Sequence, residues 1–245
     1  IEGMKDASAA PVYNECRQWL LDNLDRFENL TKEDVESISP EICNCATLST
    51  LHGCPPQEIE RIASYLLTEK KVHTFIKCNP TLLGYEYARK LMDDMGYDYV
   101  AFGDFHFRDD LQYTDAVPML QRLQKLADEK GLEFGVKITN TFPVDVKQNE
   151  LPSEEMYMSG KSLYALSMSV AQKLAKDFDG KLRISYSGGA DYFNITKIID
   201  AGIWPVTMAT TMLKPGGYER LEQIGQLFKA KEAAAFTGVS AEKVE

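Results

Sequence analysis

Three observations predict an α/β chain whose parallel strands belong to a (β/α)8 barrel. Short apolar or β-branched runs alternate with helical stripes, no GxGxxG turn follows an early run, and the last two runs each end in a small-residue loop. Alternation of this kind requires helical crossovers between parallel strands. The missing glycine fingerprint removes the usual signature of an open, doubly wound dinucleotide fold. The two loops decide the remaining choice. Leu182-Arg183-Ile184-Ser185-Tyr186 runs into Ser187-Gly188-Gly189-Ala190, and Val206-Thr207-Met208 runs into Ala209-Thr210-Thr211. Adjacent glycines bare backbone amides, and amides at a helix start suit a phosphate. Barrels of this type often build their phosphate site from the loops after strands seven and eight. Binding of a flavin or a phosphorylated substrate at Ser187, Gly188, Gly189, Ala190, Ala209, Thr210 and Thr211 is therefore the leading expectation.

The elements follow in order. Cys16, Trp19, Leu20, Leu24 and Phe27 fall at helical spacing, and residues 42–48 read as the first strand. Pro55-Pro56 opens a helix with Ile59, Ile62 and Leu66 on one stripe, as prolines in a first turn allow. Residues 73–79 form a second strand, 84–95 a helix stopped by Gly96, and 97–105 a third strand. Val117, Leu120, Leu123 and Leu126 mark a helix closed by Gly131, and residues 133–139 a fourth strand. Residues 142–160 are polar, lack clear periodicity and exceed ordinary connections, which points equally to an active-site lid and to a surface excursion. A helix with Leu163, Leu166, Val170 and Leu174, the Ile184 strand, a short helix at Ile195, Ile198 and Ile199, the Val206 strand and a helix with Leu221, Ile224 and Phe228 complete the series. This gives six strands where a closed barrel needs eight. Residues 1–40 are expected to be a helical lead-in, 41–230 the later part of a barrel, and 231–245 a polar tail or linker. A start at Ile1, with Met4 behind it, suggests a cut from a longer polypeptide.

Composition narrows the function. A formal charge of -10 without a long Lys/Arg run argues against nucleic acid, and no apolar run is long enough to span a bilayer. Five cysteines, Cys16, Cys43, Cys45, Cys54 and Cys78, have no framework spacing and suit thiols in a reducing cytoplasm. Buried thiols explain Cys43-Asn44-Cys45 better than a metal site does, because no CxxC is present.

Several residues carry chemistry in their context. Lys77 and Lys137 each lie in an apolar strand, where a lysine is costly unless it meets an anion. A reduced flavin ring is one such anion; a helix-facing lysine that snorkels to solvent is the alternative. Asn79, Asn140 and Thr141 follow these lysines at the strand ends, and an Asn amide suits the donor–acceptor edge of a pyrimidine or flavin, or simply a turn. Cys54 stands just before a helix, where the dipole lowers a thiol pKa and suits it to act as acid or nucleophile, with His52 near enough to tune it. A tight turn with a packed cysteine is the competing reading. Asp104, His106, Asp109 and Asp110, with Arg108 among them, read as a charged surface loop rather than a metal cluster.

Longer strings bring a family to mind. Thr47-Leu48-Ser49-Thr50-Leu51-His52-Gly53-Cys54-Pro55-Pro56, Lys77-Cys78-Asn79-Pro80-Thr81-Leu82-Leu83-Gly84, Glu154-Glu155-Met156-Tyr157-Met158-Ser159-Gly160 and Ile184-Ser185-Tyr186-Ser187-Gly188-Gly189-Ala190 closely resemble the selenate reductase subunit family of bacteria. So does Met208-Ala209-Thr210 with Lys214-Pro215-Gly216-Gly217-Tyr218 beyond it. The likeness runs to about residue 230. A looser likeness to dihydropyrimidine and dihydroorotate dehydrogenases rests on Lys77-Cys78-Asn79-Pro80, Thr139-Asn140-Thr141, Ser187-Gly188-Gly189 and Cys54. The resemblance implies part of an FMN-type barrel in a multi-domain reductase, with electrons passing from NAD(P)H through FAD and iron–sulfur clusters to FMN and then to a small acceptor. FAD and clusters would lie elsewhere in the parent chain. In that scheme Lys77 or Lys137 faces the flavin, Asn79 and Asn140 orient the substrate, and Cys54 donates a proton. Selenate is the family's label; a pyrimidine or purine ring fits the related enzymes. The expected partners are this substrate, the parent's other domains and, for a barrel with open edges, a second copy of the chain. A barrel that has lost its cofactor and only docks electron-transfer domains is the rival reading. A Schiff-base aldolase or isomerase using Lys77 or Lys137 is a third.

Overall fold

The computed structural model describes residues 1–49, 53–229 and 235–244. Its centre is a parallel sheet of β1 (Cys45–Leu48), β2 (His73–Cys78), β3 (Phe134–Ile138) and β6 (Arg183–Tyr186), in the order β1-β2-β3-β6. Between β3 and β6 the chain makes an antiparallel hairpin of β4 (Phe142–Asp145) and β5 (Glu155–Met158). The expected Val206 strand is reduced to one parallel bridge between Tyr186 and Val206. The described residues thus form an incomplete barrel wall.

Alternation along the strands divides the sheet into two unlike faces. Ile76, Cys78, Val136, Ile138, Ile184 and Tyr186 are buried on the side covered by helices Pro56–Thr68, Tyr113–Lys130 and Tyr164–Asp177. The register pairs Lys77 with Lys137 and Lys137 with Ser185, so these three share the other face. Both lysines therefore point away from the helices, and the snorkelling alternative does not hold. Gly135 on the same face is required by packing, since a Cβ there would overlap the Phe75 ring and the Arg183 carbonyl.

The helices start and stop where local chemistry dictates. Pro56 occupies the first turn of its helix, and the Tyr113–Lys130 helix ends on Gly131 at φ +67° in the left-handed region. Residues 97–104 do not form the expected third strand. Arg89 donates to the carbonyls of Val100 (2.6 Å) and Tyr97 (3.0 Å) while its guanidinium lies over the Phe102 ring. A cation from the preceding helix thus takes the acceptors that a neighbouring strand would need, and Phe105–Asp109 turns helical. The aperiodic stretch 142–160 also differs from expectation. Buried Phe142 and Val144 anchor the β4–β5 hairpin, and the His106 Nε2–Glu155 contact at 2.8 Å ties its second strand to the Phe105–Asp109 turn.

At the ends, the Pro11–Asp22 helix buries no residue; of its predicted stripe Cys16 and Trp19 are exposed and Leu20 is half-buried. Residues 235–244, expected within a tail or linker, fold back against the helices. There the Val239 amide donates to the Gly180 carbonyl and Val244 is buried. No described helix is long and apolar enough to cross a membrane.

Candidate functional site

A cleft of about 480 Å³ opens at the carboxyl end of the sheet. Its walls come from the ends of β2, β3 and β6, the segment after β5, and the chain beyond Val206. Ser187, Gly188, Gly189 and Ala190 line it together with Ala209, Thr210 and Thr211, so the two predicted loops meet in one cavity. Lys77 and Thr141 also line it.

The Gly188 loop is built from carbonyls that are already taken. Ser187 O accepts from the Thr139 amide (2.9 Å), Gly188 O from the Tyr186 hydroxyl (2.6 Å), and Gly189 O from Asn194 Nδ2 (3.0 Å). In a trans peptide the following N–H points opposite to the carbonyl. The amides of Gly188, Gly189 and Ala190 are therefore turned from those donors, and none has an acceptor among the described residues. Three successive buried or half-buried donors without a described protein acceptor thus belong to residues that line the cleft, a chemistry that suits an anion. Glycine is obligatory here. A Cβ on Gly188 would overlap Ser167 Oγ, and one on Gly189, at φ +82°, would overlap the Gly160 carbonyl. Thr211 Oγ1 donates to Ala190 O at 3.0 Å, which fastens the second loop to the first.

Charge follows the same direction. In a chain of net charge -10, the cleft is lined by Lys77, Lys161, Lys214 and Arg220 against Asp191 alone. Asp191 is buried, but its carboxylate is held at 2.5 Å by Lys161 and accepts the Phe193 amide. Lys161 is thereby committed, and Lys77, Lys214 and Arg220 remain as cations without a carboxylate partner among the described residues.

The other predicted residues gather beside this cleft rather than in it. Lys137 stands next to Lys77 on the sheet but does not line the cavity; burial and the Lys77 charge hold its pKa below the ordinary lysine value. Asn140 Nδ2 donates to Asn79 Oδ1 (2.6 Å), and Asn79 Nδ2 to Asp110 Oδ2 (3.0 Å). Thr81 Oγ1 also donates to Asp110 Oδ2 (2.8 Å), and the Gly53 amide to Oδ1 (3.2 Å). Asp110 is 4% exposed, so it is not part of a charged surface loop. Sequence reading misplaced it because its partners come from two loops distant in sequence and it sits in an acidic run. Asn79, Lys77 and Cys54 border a small second cavity beside Asp110.

Cys54 departs from expectation in its acidity. Burial, with the Glu58 carboxylate on the following helix, pushes its thiol up, not down. Its helix begins at Pro56 with Pro55 as cap, so the first turn offers no amide from either residue to stabilise a thiolate. Cys78, on the buried face, is pushed up to about 12 by burial alone. Thr50, Leu51 and His52, including the proposed tuning histidine, lie outside the described residues.

Comparison with known proteins places the chain in a family. The family model described as oxidoreductase YgfK, N-terminal TIM-barrel domain, matches residues 1–245, and the chain belongs to that family. It is 44% identical over 255 residues to the curated "Putative oxidoreductase YgfK" of Escherichia coli strain K12, covering all of this chain and 25% of that protein. The protein of the same name from E. coli O157:H7 matches equally. The chain thus spans about a quarter of the length of these relatives. These names state an oxidoreductase and no substrate; the selenate label has no counterpart in them. Among solved structures, DHODH of Eimeria tenella in complex with ferulenol gives a TM-score of 0.36 at 22% identity, over 71% of this chain and 41% of that one. The ligand-free form gives 0.35 at 15%, over 77% and 58%. Superpositions this loose say nothing about the site.

Proposed function

We propose that this domain binds flavin mononucleotide through its phosphate and forms the site where an oxidoreductase reduces a small acceptor. The observation that carries the reading is the run of three amides at Gly188, Gly189 and Ala190, which open with Lys214 and Arg220 onto one cleft. A phosphate monoester is the ligand class that such donors and cations match. Lys77, from β2, lines the same cleft and supplies the cation that an electron-rich ring needs. When bound, the flavin would supply hydride and single-electron chemistry. The protein's share is to hold the phosphate, place Lys77 beside the ring and keep a protonated Cys54 close to Lys77 and Asn79 in the side cavity.

The parent polypeptide would supply the electrons, with NAD(P)H, FAD and iron–sulfur clusters held outside these residues. The resemblance at Asn79, Asn140 and Thr141 supports a ring with amide-like edges, a pyrimidine or purine, over selenate. Free thiols at all five cysteines fit a reducing cytoplasm.

The test is titration of the flavin-stripped intact polypeptide with FMN, followed by flavin fluorescence and visible absorbance. Saturable binding is expected, competed by inorganic phosphate and about tenfold or more tighter than that of riboflavin, which lacks the phosphate. Equal affinity for the two flavins would remove the phosphate site. No binding of either would favour the cofactor-free scaffold, to which the open sheet of the described residues lends some support.

A further inference from the structure

We propose that Tyr186 is a positioning residue for the phosphate site: from the far side of the sheet its hydroxyl holds the Gly188 carbonyl out of the cleft and so aims the Gly189 amide into it. The inference rests on the phosphate reading above and adds a residue that touches no ligand. Tyr186 is the last residue of β6, and strand alternation places it with Ile184 on the helix-packed face. It is fully buried, and a hydroxyl at that depth needs a partner. The partner is the carbonyl two residues ahead, at 2.6 Å.

The consequence follows from peptide geometry. Among the described residues the cis bonds are Ile138–Thr139 and Trp204–Pro205, so the Gly188–Gly189 unit is trans. Its N–H then points opposite to the carbonyl that Tyr186 holds. Two adjacent glycines would otherwise let this unit rotate at little cost, because neither carries a Cβ to resist it. Ser167 Oγ, which lies under Gly188 and is paired with Thr139 Oγ1 at 2.8 Å, also hydrogen-bonds the phenol. A serine hydroxyl can donate to the phenol oxygen, which leaves the phenol's own proton for the Gly188 carbonyl. Burial, reinforced by Tyr164, keeps the phenol protonated above the usual tyrosine range, so it remains a donor throughout the physiological span.

Tyr186→Phe in the intact polypeptide removes one oxygen and leaves the ring in place. Dissociation constants for FMN and riboflavin are measured for both proteins, with the thermal midpoint as a control and inorganic phosphate as a competitor that reports on the loop without a ring. Loss of one amide of three predicts about a tenfold weaker hold on FMN and a matching loss of competition by phosphate, with riboflavin binding unchanged. A purely structural hydroxyl would lower the thermal midpoint and weaken both flavins together, which overturns the proposal. An unchanged ratio in the variant, with discrimination intact in the wild type, overturns the role of Tyr186 alone. A wild type that does not discriminate overturns the phosphate site and this inference with it.

Discussion

The two ends of the sheet's carboxyl rim are built on opposite plans. Around Asp110 the polar side chains are spent largely on one another: one carboxylate collects the donors of Gly53, Asn79 and Thr81, and Asn79 in turn accepts from Asn140. Around Gly188 the carbonyls are spent on protein donors while three amides are left over. The Asp110 cluster links the loops of three strands and orients Asn79 and Asn140 by bonds within the protein. A cluster with donors in surplus is costly until something arrives to use them. The difference separates scaffold from binding site more sharply than burial does, since Asp110 and Gly188 are both buried.

The largest blow to this contrast should come from Gly189→Val. It places a side chain at φ +82° and against the Gly160 carbonyl, so the loop must deform. FMN affinity is expected to fall about a hundredfold or more, with a stability loss of about 2–3 kcal/mol. Retained discrimination between FMN and riboflavin would show that the Gly188 loop is not where the phosphate sits. Next, Asp110→Asn keeps shape but sets an amide against three donors, and chemical denaturation should register about 2–3 kcal/mol. The ratio of FMN to riboflavin affinity should hardly move. A variant that loses the ratio and keeps its stability would reverse the two roles. The smallest effect concerns Cys54. Because burial and Glu58 hold its pKa above the ordinary thiol value, less thiolate is present at neutral pH, and its alkylation by iodoacetamide at pH 7.5 should be slower than that of free cysteine. The rate should continue to climb with pH past the point where free cysteine levels off. Faster alkylation than free cysteine would move the reactive chemistry to the Asp110 end.

Local features were legible in the sequence and long-range ones were not. The strands His73–Cys78, Phe134–Ile138 and Arg183–Tyr186 and the loops at Gly188 and Thr210 are written in adjacent residues, through alternation and a glycine pair. Their meeting in one cleft followed from strand order. Residues 97–104 carried an apolar pattern, but Arg89 took their carbonyls, and a cation one helix away leaves no mark on strand periodicity. The β4–β5 hairpin was hidden because each strand is four residues long. Asp110 was misread from its acidic neighbours, although Asn79 and Thr81 beside it were already in view. Bared amides at the glycine pair were expected, but what fixes them was not legible, because it depends on Tyr186 reaching forward and Asn194 reaching back to particular carbonyls.

The solitary rung at Val206 gives the cleft unequal walls. On one side the Gly188 loop grows from a ladder four strands deep; on the other, the chain at 204–207 is bonded to β6 through the amides of Trp204, Tyr186 and Thr207, and residues 209–214 beyond it are tied back by Thr211. The glycine loop is thus the more deeply braced of the cleft's two walls. Any ordering of the less braced wall on capture would be drawn from the binding energy, so substitutions in residues 206–214 are expected to change the rate at which a ligand leaves.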